Sequence, residues 1–391
     1  MKSWKRFAFV GVIVACLAAV APGQVLLVGT GDPAIDVPAV QAAVDGNGVV
    51  LLEGTFSFTG APAAVTIHRS VWIAGVADEQ GQIPRILGGT QPFVVLAPGA
   101  DVAIEGLRFQ DPVGAAVWIQ SAHGILVESC VVDGVVPGLI GARVVAIGIF
   151  ESAGPVGTVR ILRNDVSPGG PVTNDTNGII LLAPTAEIEI AYNNVSSTTA
   201  HGIDLRNVAG LARVERNVVV TGPVGRGGGV GAFVDGIRCV GTGRYVIEDN
   251  FVSTGFENAA GIRIGGTAGA AIQGNDVLLP LSETAVPGAQ SAGIQVEGSA
   301  SSTEIVDNRV RGRGRTAFSV IHSDFALDKG TSSGNPADTR IAGNDGEIFA
   351  ATVADVEIGE GAANTEILGG SGTVSDRGTG TVILGGYLAL P

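Results

Sequence analysis

One short phrase recurs along this chain and limits what it can fold into: Gly-Ile, an interval, then Asn-x-Val. It runs from Gly178-Ile179 to Asn193-Asn194-Val195, from Gly202-Ile203 to Asn217-Val218-Val219, and from Gly236-Ile237 to Asn250-Phe251-Val252. Two more copies run from Gly261-Ile262 to Asn275-Asp276-Val277 and from Gly293-Ile294 to Asn308-Arg309-Val310. The Gly-to-Asn interval is nearly constant: 193−178 = 15, 217−202 = 15, 250−236 = 14, 275−261 = 14, 308−293 = 15. The interval from each Asn to the next Gly is elastic, at 9, 19, 11 and 18 residues. A constant segment joined by variable loops is the signature of a solenoid, because each repeat packs only on its neighbours. The phrase reads as one coil of a stack of β-strands.

In chain order, Asp36-Val37-Pro38 to Val44 offers an N-cap residue, an early proline and apolar residues Val37, Val40 and Val44 at helical spacing. After the turn Asp45–Gly48, Val49 to Phe56 reads as a strand, so a helix would cover the first open edge of the stack. Short strands are expected at Val65–Ile67, Val71–Ile73, Ile86–Leu87, Val94–Leu96 and Val102–Ile104. The Asn landmark is worn here, with Leu107 and Cys130 in its place, and settles from Asn164 through Asn193, Asn217, Asn250, Asn275 and Asn308 to a looser Asn344. Asn tolerates a bend conformation and its amide bonds to the coils on either side, so this column is expected to be structural. At the C-terminus Thr365–Gly370 recurs as Thr381–Gly386, which suggests smaller closing coils.

The division expected is a signal peptide over 1–23, an N-terminal cap over 24–60 and the β-helix over 61–391. A basic start (Lys2, Lys5, Arg6), an apolar run from Phe7 to Val20 and small residues at Ala21-Pro22-Gly23 form an export signal. A competing reading places a lipid anchor on Cys16 in Ile13-Val14-Ala15-Cys16. No apolar run reaches the roughly 18 residues of a transmembrane segment. The formal charge of −14 becomes −17 without the three leader cations. Such a surface repels nucleic acid, and a polyanionic ligand would need a local arginine cluster or a bridging cation. Cys130 and Cys239 lie roughly four coils apart, on the order of 20 Å at the spacing of paired strands, too far for a disulfide.

The asparagine column, the Gly-Ile strands and the helix followed by Val49–Phe56 together resemble right-handed parallel β-helix proteins of the pectin-lyase-like superfamily. The resemblance covers about residues 31–386 and implies an all-β fold: a single-stranded right-handed parallel β-helix with a short N-terminal capping helix. That superfamily includes polysaccharide lyases, glycoside hydrolases, epimerases, adhesins and tailspikes, so the activity has to come from the site. The enzyme motifs are mostly unmatched. Val117-Trp118-Ile119-Gln120-Ser121 is similar to the pectate-lyase Val-Trp-Ile-Asp-His stretch, with Gln120 and Ser121 replacing its polar pair. Asn174-Asp175-Thr176 reorders the polygalacturonase Asn-Thr-Asp, Arg263-Ile264-Gly265 lacks its lysine, and Asp111-Pro112 is followed by Val113 where the epimerases have His.

With Ile203 and Leu205 pointing inward, Asp204 and Arg206 point out. The matching outward positions on successive coils are expected at Trp118, Phe150, Ile180, Asp204, Arg238, Arg263, Gln295 and Ser319. Asp204, Arg238, Arg263 and Asp235 are thus the candidate catalytic residues, with Trp118, His201, Arg206, Gln295 and Glu297 as candidate substrate contacts. Two arginines grip a uronate or sulfate, and Asp204 with Asp235 could act as an acid/base pair. Asn174 and Asp175 are candidate Ca²⁺ ligands. Long loops over 167–177, 219–235 and 277–292 are expected to hang beside this face. The competing reading is an Asp–Arg ladder that keeps a solvent-facing sheet soluble. Trp72 and Trp118 read as core or strand-end packing, with sugar stacking as the alternative; His123 shares Ala-His-Gly-Ile with His201 at a different coil position, His68 and His322 lack partners, and Gly225–Gly229 lacks the following helix of a phosphate loop.

Two functions stay open on this evidence. One is a secreted protein directed at extracellular polysaccharide, by binding or by lyase or hydrolase cleavage of an acidic glycan. The other is a non-catalytic structural or adhesive protein of the cell surface or matrix.

Overall fold

The computed structural model describes residues 23–60, 64–137, 144–169, 176–182, 187–198, 200–208, 210–222, 234–255, 260–279, 291–321, 335–349 and 354–390. Among the described residues there are one helix, α1 (Pro33–Gly46), and 33 strands, paired in parallel throughout. Each mature coil contributes three strands. In the central coil they are Ile203–Arg206, Leu211–Glu215 and Val218–Thr221, which pair with Ile237–Val240, Arg244–Glu248 and Phe251–Thr254 of the next coil. Three parallel sheets, called here the Gly-Ile, middle and post-Asn sheets, therefore wrap one interior. Parallel crossovers wind right-handed, and the result is a right-handed parallel β-helix.

The interior is a continuous column of Val, Ile, Leu and Ala, among them Ile179, Ile203, Ile237, Ile262 and Ile294 from the Gly-Ile sheet. The repeat has a steric cause. A Cβ placed on Gly202 would lie 2.3 Å from Val219 Cγ1 and 2.8 Å from the Gly236 carbonyl oxygen. Gly178 stands to Val195, Gly236 to Val252, Gly261 to Val277 and Gly293 to Val310 in the same way. The Gly and the Val of each phrase thus touch across the coil, which is why their spacing barely varies.

The asparagine column is continuous from Asn164 to Asn344. Asn217 Oδ1 accepts from Asn193 N–H at 2.9 Å and from Asn193 Nδ2 at 3.0 Å, while Asn217 Nδ2 donates to the Ile190 carbonyl at 2.8 Å and to Asn250 Oδ1 at 3.0 Å. Asn344 joins it through two bonds from Asn308, and Cys130 takes the worn position by donating its N–H to Asn164 Oδ1 at 2.9 Å. The bend itself is made one residue earlier than expected. Arg163, Tyr192, Arg216, Asp249 and Asp307 have φ of 55°, 60°, 54°, 54° and 55°, and Gly274 and Gly343 occupy the same slot. That left-handed residue turns the chain, and the following Asn points its amide into the stack.

At the N-terminus, strand Gln24–Thr30 pairs with Val49–Ser57, so the stack begins before the helix does. The helix starts at Pro33 with Asp32 as its N-cap, one turn ahead of the expected Asp36. Asp36 is instead buried and accepts from Thr30 N–H, Thr30 Oγ1, Gly31 N–H and Ser57 N–H, tying two strands to the helix. The first coils also lack a corner: Phe93–Glu105 and Val117–Glu128 run as single long strands through two sheets. At the other end Glu366–Asp376 and Val382–Leu390 stack with Glu366 opposite Val382, which is the sixteen-residue echo seen in the sequence. Cys130 and Cys239 are buried free thiols.

Losing the Asn217 amide leaves the buried Asn193 N–H without its acceptor and the Ile190 carbonyl without its side-chain donor. We expect Asn217→Ala to lower stability by about 2–3 kcal/mol, and Asn194→Ala, whose amide reaches only the exposed Asp165, by less than about 0.5 kcal/mol. Denaturant unfolding of the two variants beside the parent measures the difference.

Candidate functional site

The Gly-Ile sheet carries two outward rows. The first runs Trp118, Gly148, Ile180, Asp204, Arg238, Arg263, Gln295, Ser319 and on to Glu357. The second contains Phe150, Leu182, Arg206, Val240, Gly265 and Glu297. Two expectations change. Phe150 leaves the first row, where Gly148 stands, and the row continues past Ser319 to a carboxylate. Gly148 is required there: the Trp118 and Phe150 rings stack at 4.1 Å with an 18° interplanar angle, and a Cβ on Gly148 would come within 3.0 Å of both. Both rings remain partly exposed.

The charged part of the face does not lie open to solvent. Asp204 and Asp235 are fully buried, and Arg263, Arg206 and Arg238 are only 3%, 6% and 8% exposed. The soluble-surface reading of this ladder therefore fails on burial. Charges at such depth need partners, and they find them in an order that row neighbours alone do not suggest. Asp204 pairs along its own strand, accepting from Arg206 Nε at 2.8 Å. Arg263 is clamped, donating from Nε to Asp235 Oδ2 at 2.9 Å and from Nη1 to Glu297 Oε2 at 2.8 Å. Gln295 Nε2 adds a bond to the same Glu297 oxygen at 2.8 Å. At the far end Glu357 pairs with Arg315, and Arg377 lies 3.6 Å away.

A second short ladder crosses the strand entrances. Asn177 Oδ1 accepts from His201 N–H at 3.1 Å, His201 Nδ1 accepts from Asp235 N–H at 3.1 Å, and Asp235 Oδ1 accepts from Ala260 N–H at 3.0 Å. Each of these residues immediately precedes the Gly of a Gly-Ile phrase, a signal present in the sequence at Asn177, His201 and Asp235. With Nδ1 accepting, the neutral His201 ring carries its proton on Nε2. That nitrogen lies 3.2 Å from Arg238 Nη1, so two N–H donors converge. Arg238 makes no ion pair within 4.0 Å among the described residues, and its Nε has no partner there. Asp204 Oδ1, on the adjacent coil, is likewise buried without a partner.

Burial pushes the His201 ring down to about 4, against the pull of the Asp204 and Asp235 carboxylates. Burial alone would raise Asp204, but His201, Arg238 and Arg206 outweigh it and hold the carboxyl below its usual range. Burial acts on Asp235 in the same way and is outweighed by Arg263, His201 and Arg238. Burial lowers Arg238, with Asp204 and Asp235 offsetting part of the effect and Arg206 and Arg263 adding to it. Arg263 moves the other way: burial is outweighed by the Asp235 and Glu297 carboxylates, which hold its proton firmly.

Asn174, Asp175, Cys16, His322, Gly225–Gly229 and most of the three long loops lie outside the described residues. Among the described residues no group of three or more His, Cys, Asp or Glu is placed to hold a metal ion, and no helix is long and apolar enough to cross a membrane.

The pH dependence follows from His201. The unfolded ring takes up a proton below about 6.5, whereas the folded ring resists until about 4. Acidification through that window therefore favours unfolding, by a total on the order of 3 kcal/mol. The depressed Asp204 and Asp235 add to the loss at lower pH. We expect His201→Asn, which can keep an acceptor for the Asp235 N–H, to flatten the slope between pH 6.5 and 4 in denaturant midpoints taken across pH.

No protein-family model and no curated protein sequence matches this chain. Among solved structures it is similar to a surface adhesin of Streptococcus pneumoniae, at 12% identity and a TM-score of 0.47 over 94% of this chain and 92% of that one. It is similar as well to a mannuronan C-5 epimerase A-module of Azotobacter vinelandii, at 14% identity and 0.46 over 93% and 97%. A third is a DFA-IIIase of Arthrobacter chlorophenolicus, at 13% identity and 0.41 over 96% and 97%. These are likenesses of architecture, and the coil-on-coil parallel pairing itself makes this chain a right-handed parallel β-helix.

Proposed function

We propose that this is an exported β-helix protein that binds an acidic polysaccharide on the outer face of its Gly-Ile sheet. The observation that carries the reading is Arg238: a guanidinium deep in the face with no carboxylate within 4.0 Å among the described residues, one coil from an Asp204 oxygen that lacks a donor there. A uronic acid residue supplies both missing groups. Its carboxylate would take the donors of Arg238 and His201 Nε2, and a ring hydroxyl would donate to Asp204 Oδ1. Arg206 then serves to hold Asp204, while Asp235 and Glu297 hold Arg263. Trp118 is a sugar contact at the end of the same row, with one ring face taken by Phe150.

The electrostatics bear on catalysis as well. A glycoside hydrolase needs one carboxyl group that keeps its proton, and both Asp204 and Asp235 are pushed the other way. Elimination, which asks for no protonated carboxyl group, is the catalytic option these directions leave open. Ca²⁺ at Asn174 and Asp175 belongs to the same proposal, as a bridge to a further carboxylate.

The test is calorimetric binding of oligogalacturonate and oligoalginate to the full chain, with and without Ca²⁺, beside Arg238→Gln and Asp204→Asn. Arg238→Gln is expected to weaken binding by about tenfold to a hundredfold, and added salt to weaken the parent in the same sense. Unsaturated product, followed by ultraviolet absorbance, would add cleavage to binding. Equal affinity in parent and Arg238→Gln overturns the assignment. No affinity for either glycan favours the structural or adhesive rod.

A further inference from the structure

A different feature lies on the outer face of the middle sheet. There the register sets Trp72 beside Ala103, Ala103 beside Leu126 and Leu126 beside Arg160, on successive coils. These residues line an open groove of about 480 Å³ with Ser70, Asp101, Gly124 and Thr158. Trp72 does not pack into the core as its sequence context suggests: 43% of it is exposed, and it has no aromatic partner among the described residues. The small side chain of Ala103 leaves room beside the indole.

One wall of the groove carries a positioned carboxylate. Asp101 Oδ1 is 2.8 Å from His123 Nδ1, and a Cβ on Gly124 would sit 2.6 Å from that oxygen. A glycine at 124 is what allows the carboxylate to lie across the groove. Both partners of the His123–Asp101 pair are more than 70% exposed. A pair so open contributes little to stability, so its geometry calls for another explanation than holding the fold together.

We propose that this groove is a second carbohydrate site, which stacks a neutral pyranose on Trp72 and accepts its hydroxyls on Asp101. An apolar floor with a few placed polar groups is the usual make-up of a small-molecule site, and a pyranose matches it with a C–H face and a rim of hydroxyls. Charge selects a neutral sugar. The chain carries −14 overall, Asp101 repels a uronate or sulfate, and Arg160, the cation in the groove, is bonded to Glu189 at 2.8 Å. A peptide strand is a poorer fit, because the strands under the groove already pair on both sides and offer no free backbone edge. This site lies on another sheet from Arg238 and extends the reading above without depending on it.

Calorimetric titration of the full chain with cellohexaose, mannohexaose and xylohexaose tests the proposal, with Trp72→Ala, Trp72→Phe and Asp101→Ala alongside. At least one of the three is expected to bind, with a loss of tenfold or more in Trp72→Ala and in Asp101→Ala and most of the affinity kept in Trp72→Phe. Asp101 is on the surface, so its variant decides the matter should Trp72→Ala fail to fold. Absence of binding to all three hexasaccharides overturns the proposal, as does parental affinity in Trp72→Ala or, where that variant does not fold, in Asp101→Ala. Oligogalacturonate binding at Arg238 is a separate readout, so either site can fail while the other stands.

Discussion

Everything in this molecule depends on one coil hydrogen-bonding to the next in parallel register. The backbone bonds fix a spacing of roughly 4.8 Å between neighbouring coils, and the buried amides of Asn164 to Asn344 repeat the same contact at one corner. A parallel pair is no stronger per residue than an antiparallel one, so the corner matters: each Asn satisfies an N–H that the turn would otherwise leave unpaired inside the stack. The Gly–Val contact across each coil then sets how far the Gly-Ile strand can approach the post-Asn strand. Once those two constraints hold, a side chain's neighbours on the surface are settled by its register. Function in such a fold is a property of rows.

That is why the architecture could be read from the sequence while part of the site could not. Ile203, Asp204, Leu205 and Arg206 alternate in chemistry, so their directions follow from the period of two. Val144 to Phe150 is apolar or glycine at every position, and six of its seven residues are buried, so nothing in it marks inside from outside. Phe150 was misplaced by two residues for that reason. The helix start moved as well: Asp36-Val37-Pro38 was expected to open it, and Asp32, directly before Pro33, is the residue that caps. The freed Asp36 carboxylate became a buried hub for four donors.

The ladder through Asn177, His201 and Asp235 was missed for a chemical reason. Its members share an acceptor atom at one position, not a residue name, and a search for repeated letters passes over it. Asp235 was expected as a catalytic candidate and His201 as a substrate contact, and their backbone-directed bonds give them a structural role that also orients them. Burial of the charged face was invisible as well. A sequence tells which side of a strand a residue takes, and says nothing of what covers that side.

Packing alone does not call for ionised groups at these positions. Ile180 precedes Asp204 in the first row, Val240 follows Arg206 in the second, and both apolar side chains are buried as completely as the ionised ones. Aliphatic residues therefore suit these positions sterically. Replacing a buried ion pair with packed aliphatic groups is often neutral or stabilising, so a stack of isoleucines and valines would hold at least as well. Asp204 and Arg206 match one to one, Asp235 and Glu297 share the single guanidinium of Arg263, and Arg238 balances the remaining charge without a carboxylate within 4.0 Å among the described residues. Its Nε is nonetheless buried without a hydrogen-bond partner among the described residues, which costs stability. A ligand that offered acceptors to those donors would relieve that cost, which is the role proposed for the acidic polysaccharide.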